Sequence, residues 1–352
     1  MQAPSHRTVL APVYALVAAL GLSLGLLPTA HGQATPSPAQ IKARLKDSRP
    51  AGFPDKPIEI TVVYPAGGGM DATARVLAKY LERTIDAPVV VINRPGAAGL
   101  IGEQWFVTQA RPDGYNLALM ASNFWSDSLL HAEGKWSYRD TRPLAFVNFD
   151  PPTWLVSDEG RWKGKGLKDL IAAAKEKPGS ISVAASNGTA TSFIVDQIEA
   201  ATGAKFNRVL YQGDRQAITD LMGGHIDISY GYIATYRGMQ EAGRVRTIGV
   251  ASRERFSSVP NAPSFNETVG STEIVWDAFR FMVTPKGMAE DRFNWLEQAF
   301  NAALNDPAIT AEWAQLGALP DRRLNSAKLL AEEVERRATA ERAYHVRSGR
   351  LK

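Results

Sequence analysis

Short β-branched runs alternate with helical stretches along most of this chain, and that alternation restricts the folds open to it. Ile58–Val63 is a strand-like run that meets a glycine-rich turn, and Ala72–Ile85 then carries Ala74, Leu77, Ala78 and Leu81 at helical spacing. Strand Val89–Ile92 and a helix near Leu100–Ala110 repeat the unit, followed by strand Asn116–Ala121. The middle reads as strands near Leu144–Val147 and Thr153–Val156, helix Leu167–Glu176, strand Ile181–Ala184 and helix Ser192–Thr202. Strand Arg208–Leu210, helix Arg215–Met222 and strands Ile226–Ser229 and Val245–Val250 follow. After a last strand, Phe279–Val283, the chain reads as helices Ala289–Leu304, Ala308–Leu316 and Ala327–Tyr344. The pattern predicts an α/β architecture with parallel sheets.

With 352 residues the chain suits two lobes better than one core, because single cores stop growing near ~250–300 residues. It has no cysteine, which excludes disulfides, thiolate metal sites, a cysteine nucleophile and a lipid-anchored export signal. The formal charge of +4 comes without any basic run interleaved with aromatics, so no nucleic-acid partner is expected. No cofactor or metal motif is present, and neither a G-x-S-x-G elbow nor H-E-x-x-H occurs.

The N-terminus has Arg7, no early acid, an apolar run from Val9 to Leu27, and Ala30-His31-Gly32 as a small-x-small site. Residues 1–32 read as a secretory signal cleaved near Gly32, which places the mature protein in the periplasm. Pro12 within the run argues against a membrane anchor. Residues 33–54 are proline-rich and read as an N-terminal arm.

Two strand-to-helix loops could carry chemistry. Ala66, Gly67, Gly68, Gly69 and Asp71 follow the first strand, where glycines permit close backbone approach and a helix start offers N–H groups to an anion. Asp71 also reads as the N-cap of that helix. Ser186, Asn187, Gly188, Thr189, Thr191 and Ser192 form the matching loop, with hydroxyls suited to a carboxylate or to capping. Clefts in open α/β sheets form at such carboxyl ends of strands. Asn123, Phe124 and Trp125 follow the third strand at the same end, as ligand-stacking groups or as core.

The segments Pro65 to Arg75 (PAGGGMDATAR), Asn93 to Gly102 (NRPGAAGLIG) and Pro112 to Leu117 (PDGYNL) resemble the substrate-binding receptors of tripartite tricarboxylate transporters, the Bug family. Leu221 to Asp227 (LMGGHID), Val245 to Ser252 (VRTIGVAS) and Pro260 to Pro263 (PNAP) extend the resemblance over about residues 55–345. It implies a two-lobed periplasmic binding protein fold of type II-like form, with one ligand in the cleft between lobes. Residues 55–150 with 270–352 would form one lobe and 151–269 the other. The implied function is capture of a small carboxylate, aromatic or dicarboxylic bodies both being compatible, by a monomeric, non-enzymatic receptor. Its partners would be membrane permease subunits or a sensor kinase. A sensor co-receptor and a secreted α/β enzyme acting on a carboxylate are the alternatives. Tyr211, beside the matched Gly213 within LYQGD, and Asp227, at the end of the matched LMGGHID, complete the candidate ligand-binding set, Asp227 being readable also as a turn or capping acid. The chain departs from the family at Gly188-Thr189-Ala190-Thr191 and Leu210-Tyr211-Gln212-Gly213, and in bulky Phe124 and Trp125.

Overall fold

A computed structural model describes residues 38–186, 190–276, 279–317, 324–347 and 350–351. Residues 1–32, read above as a signal, the start of the arm, and Asn187, Gly188 and Thr189 lie outside the described residues.

Helix α1 (Pro38–Asp47) stands where the sequence predicts an irregular arm. Proline at its first position presets φ instead of breaking the helix, and Pro50 follows its end. The Leu45 carbonyl accepts a hydrogen bond from Trp295 Nε1 at 2.8 Å, and Phe53 lies edge-on to Trp295, so this segment docks on the body of the protein.

Strand β1 (Ile58–Val62) leads into helix α2 (Gly69–Ile85), β2 (Val89–Asn93), α3 (Leu100–Gln109), β3 (Asn116–Met120), α4 (Asn123–Leu130) and β4 (Thr141–Phe149). The chain then crosses through residues 150–152 to β5 (Thr153–Ser157), α5 (Leu167–Glu176), β6 (Ser182–Ala185), α6 (Ala190–Thr202), β7 (Asn207–Leu210) and α7 (Asp214–Met222). After β8 (Ser229–Gly231), α8 (Ile233–Glu241), β9 (Val245–Val250) and α9 (Phe265–Val269), β10 (Phe279–Pro285) returns to the first sheet. Helices α10 (Glu290–Leu304), α11 (Pro307–Gln315) and α12 (Ala327–Arg347) end the described chain.

The first sheet has the order β2-β1-β3-β10-β4. Its strands β2, β1 and β3 are parallel, but β10 pairs antiparallel with both β3 and β4. A second sheet, β8-β5-β9, is antiparallel throughout, and β6 and β7 pair in parallel beside it, joined by a bridge from Val183 to Ile228. The expectation of parallel sheets therefore holds for the βα repeats and fails at β5, β9 and β10. Those strands enter or leave a sheet by crossing from the other one, so no helical crossover imposes parallel pairing.

Side-chain alternation explains why the strands read as continuous apolar runs. On β3, Leu117 and Leu119 join a core with α2 and α10, whereas Ala118 and Met120 join a core with Phe106, Trp125, Phe281 and Leu330 on the other face. The second sheet has its own core, including Trp154, Ile194, Ile218 and Phe265. The α/β fold is thus two-lobed. Helices α4 and α8, which the apolar spacing does not mark, are short and carry aromatic or glycine residues that dilute the helical pattern.

Candidate functional site

Both groups of strands point their carboxyl ends at a cavity of about 310 Å³. The first lobe contributes Tyr64 to Ala66, Gly68 to Met70 and Ala121 to Asn123. The second contributes Ser186, Ala190, Thr191, Gln212 to Gln216, Tyr230 and Tyr232, and the returning segment adds Trp276 and Arg280. Four helices, α2, α4, α6 and α7, begin with residues on this wall. Helix N-termini carry N–H groups outside the intrahelical ladder and positive dipole ends, the groups that favour an anion.

The glycine loop is shaped by contacts across the cleft. Gly67 has φ of 80°, and a Cβ there would overlap the Arg215 guanidinium. A Cβ at Gly68 would stand 2.9 Å from Asp214 Oδ1, and one at Gly69 would stand 2.7 Å from Tyr232 Cβ. The Gly67 carbonyl accepts a hydrogen bond from Arg215 Nη1 at 3.4 Å, and Ala98 N–H donates to Gln212 Oε1 at 3.1 Å. The lobes therefore meet closely at this edge of the cavity.

Asp71 does not cap α2 from the N-cap position, which Gly68 occupies with no side-chain bond. It sits three residues inside, where a carboxylate can reach back over the first turn. Its Oδ2 accepts from Gly67 N–H at 2.9 Å and from Arg75 Nε at 2.8 Å, and its Oδ1 accepts from Asn93 Nδ2 at 3.0 Å. Burial alone would raise its pKa, but these donors outweigh it and hold the group below the usual carboxylate range. Asp71 thus fixes the loop and does not line the cavity.

Asn123 lines the cavity and is pinned from behind. It accepts from the Tyr64 hydroxyl at 3.1 Å and donates through Nδ2 to Glu103 Oε1 at 3.0 Å and Asp127 Oδ2 at 2.9 Å. Burial, then the neighbouring Asp127, pushes Glu103 well above its ordinary pKa, and burial pushes Asp127 to about 6. Phe124 does not reach the cavity, because it is buried in the first lobe and stacked on Trp136. Trp125 is buried as well, stacked on Phe281 and donating Nε1–H to Glu341.

In the other lobe Ser186 and Thr191 line the cavity. Thr191 Oγ1 accepts from Ser186 N–H at 2.8 Å, Ser192 Oγ donates to the Ser186 carbonyl at 2.8 Å, and Ser186 Oγ donates to the Tyr211 carbonyl at 2.5 Å. Ser192 and Tyr211 line a wider groove beside the cavity, where the Tyr211 hydroxyl donates to Asp220 at 2.7 Å. Asp227 is engaged elsewhere, accepting from Arg161, Trp162 and Ser182.

Several wall residues are absent from the sequence-derived set. Arg280 is 1% exposed, pairs with Asp150 at 2.7 Å, donates to Thr73 Oγ1 at 2.6 Å and lies 5.0 Å from the Tyr232 ring. Burial pushes Asp150 up to about 6 despite that partner. Asp214, at the start of α7, accepts from Thr235 at 2.6 Å and from Tyr232 N–H at 3.1 Å, and burial raises its pKa. A sequence signal existed for both: Arg280 is a lone charge inside Phe279–Val283, and Gly213-Asp214 opens a helix after a strand. Tyr230, Tyr232 and Trp276 gave none.

The family profile described as the tripartite tricarboxylate transporter family receptor matches residues 73–342. The chain belongs to this receptor family. The receptor is 30% identical over 272 residues to protein BugT of Bordetella pertussis, covering 76% of this chain and 82% of BugT. It superposes on the periplasmic binding protein BugD with a TM-score of 0.77 at 27% identity, covering 85% of this chain and 100% of that one. MatC of Rhodopseudomonas palustris, solved with bound malate, shares the fold with a TM-score of 0.73 at 22% identity, over 82% of this chain and 98% of MatC. Members of this Bug family thus include periplasmic solute-binding proteins, and the receptor has their two-lobed fold.

Proposed function

We propose that this receptor captures a small organic carboxylate in the periplasm and delivers it to the membrane subunits of a tripartite tricarboxylate-type transporter. The observation that carries the reading is the convergence of four helix N-termini and a buried guanidinium, Arg280, on one cavity between the lobes. Backbone N–H groups there suit an anion, and lobe closure would strip its water, which strengthens each polar contact. MatC, of the same fold, was solved with malate. On this reading residues 1–32 are an export signal removed near Gly32. Residues 55–150 with 270–352 close against 151–269, each lobe built on its own core, and the receptor works as a monomer without catalysis. A thermal-shift screen of carboxylates against matched amides, sugars and polyamines tests the ligand class. Carboxylates are expected to raise Tm by an amount that grows with the logarithm of their excess over Kd; stabilisation by sugars or polyamines alone refutes it. Loss of labelled-ligand uptake on deletion of the receptor tests delivery.

A further inference from the structure

We infer that Arg215 holds the ligand's anionic group, and that its guanidinium gives the cavity its selectivity for negative charge; the inference rests on the carboxylate reading above.

Two cations stand on the cavity wall among the described residues, Arg280 and Arg215. Arg280 is buried and pairs with Asp150 at 2.7 Å. Arg215 is exposed, and none of the described carboxylates pairs with it. Its neighbour Asp214 accepts instead from Thr235 Oγ1 at 2.6 Å and from Tyr232 N–H at 3.1 Å. The polar contact of the Arg215 guanidinium is the Gly67 carbonyl, at 3.4 Å the long end of a hydrogen bond. A guanidinium has five N–H donors, so a fork that a carboxylate can meet is left open.

The guanidinium is nevertheless seated. A Cβ at Gly67 would overlap Arg215 Nη1 and fall 3.0 Å from Cζ and 3.1 Å from Cδ. The absent side chain is what lets the guanidinium and the end of its stem lie against the loop. The head of a second-lobe residue is thereby carried to the start of α2 in the first lobe. Arg215 is also the second residue of α7, where a cation works against the helix dipole. A residue that breaks a local rule without a compensating partner marks a functional position. An anion set against Arg215 would relieve that conflict, lie beside the N-terminus of α2 and tie the two lobes together. A neutral ligand would gain none of this. Water and salt screen the exposed charge while the cleft is open, and closure over a ligand removes both.

The test is calorimetric titration of the full receptor with malate, adipate, citrate and benzoate, at low and at physiological ionic strength. The tightest of these acids is then titrated into Arg215→Met and Arg215→Lys, with melting temperatures as the control for folding. Arg215→Met is expected to weaken that acid at least about tenfold, the loss of a hydrogen-bonded charge pair. Wild-type affinity should fall as salt is added, and the affinity of Arg215→Met should fall less. Arg215→Lys should restore the salt dependence but only part of the affinity, because a point charge replaces a two-pronged donor. Unchanged affinity in Arg215→Met overturns the role of Arg215 and leaves the carboxylate receptor standing. A loss of the same size at both ionic strengths means that Arg215 acts only by holding the loop through the Gly67 carbonyl, and overturns it as well. So does a lysine variant as weak and as insensitive to salt as the methionine one. Failure of all four acids to bind overturns the carboxylate reading and this inference with it.

Discussion

Arg280 and Asp150 form an ion pair at 2.7 Å with side chains 1% and 0% exposed, at the two places where the chain passes between its sheets. Asp150 follows β4 on the outward crossing, and Arg280 opens β10 on the return. The same guanidinium bonds Thr73 on α2 and faces Tyr232 beyond β8. One side chain thereby couples both crossings to the loop that forms the cavity wall.

Removing that charge leaves Asp150 buried and alone. Arg280→Met is expected to cost about 3 kcal/mol of stability, at the low end for a broken buried pair, because Asp150 can take up a proton. Adding Asp150→Asn should recover most of the loss. Urea unfolding of the single and double variants at pH 7 measures both, and additive losses would show that the two groups do not interact.

Stability should fall as pH rises from about 5 to 7. Burial raises Asp127 and Asp150 from the ordinary value to about 6 and Glu341 to about 7, and Glu103 is raised well above its own. Within that window the native state binds more protons than the unfolded chain, so each unit of pH removes stability. Glu333, held near 2 chiefly by Arg336, contributes in the opposite sense until its unfolded carboxyl is ionised near pH 5, and His345, whose pKa burial lowers from 6.5, opposes the trend just below that value. Glu103→Gln keeps the shape beside Asn123 and removes the charge facing Asp127. It is expected to raise stability at pH 7 by at least about 1 kcal/mol, the equivalent of roughly one unit of pKa shift, and to flatten the slope. A urea midpoint that climbs between pH 5 and 7 in the wild type would contradict this account.

The regular parts of the fold were legible because strand and helix periods reach the sequence directly: α5, β9 and the body of α2 lie where apolar spacing puts them. The glycine loop was legible as a close-approach element, although what approaches it is the other lobe, through Arg215, Asp214 and Tyr232. The direction of β10 was not legible, since antiparallel pairing depends on where the chain returns from. Trp276 was hidden for another reason. It lies in an irregular segment between β9 and β10, where no period assigns a side chain to a face. Phe124 and Trp125 show the converse: position after a strand brought them near the cleft, but the start of α4 turned both rings into the core.

Thr191 joins two roles that a single substitution can separate. Its hydroxyl accepts from Ser186 N–H at 2.8 Å and also lines the cavity. Thr191→Val keeps the volume but removes the hydroxyl that accepts from Ser186 N–H, costing about 1–3 kcal/mol of stability. Thr191→Ser restores the bond and removes only a methyl. Serine should therefore recover both Tm and affinity, and valine should lose both. A valine variant that melts lower yet titrates with unchanged Kd would confine Thr191 to a structural role.

Gly69 provides the sharpest test of lobe closure. It opens α2, and its missing side chain is what allows the loop to approach Tyr232, with an added Cβ falling 2.7 Å from Tyr232 Cβ and 3.2 Å from Arg280 Nη2. No positive φ is involved, so alanine itself is compatible with the backbone, and the helix start tolerates it. The overlap with Tyr232 arises across the lobes, whereas the Arg280 contact lies within the same lobe as Gly69. An open form would be spared the first and keep only the second. Gly69→Ala is therefore expected to change the melting temperature of the ligand-free protein by no more than a few degrees while weakening ligand at least tenfold, about 1.4 kcal/mol. Tyr232→Phe retains the Cβ and should not rescue it. Small-angle scattering with saturating ligand should show less compaction than in the wild type. Full compaction with unchanged affinity would mean that the contact between Gly69 and Tyr232 does not limit closure.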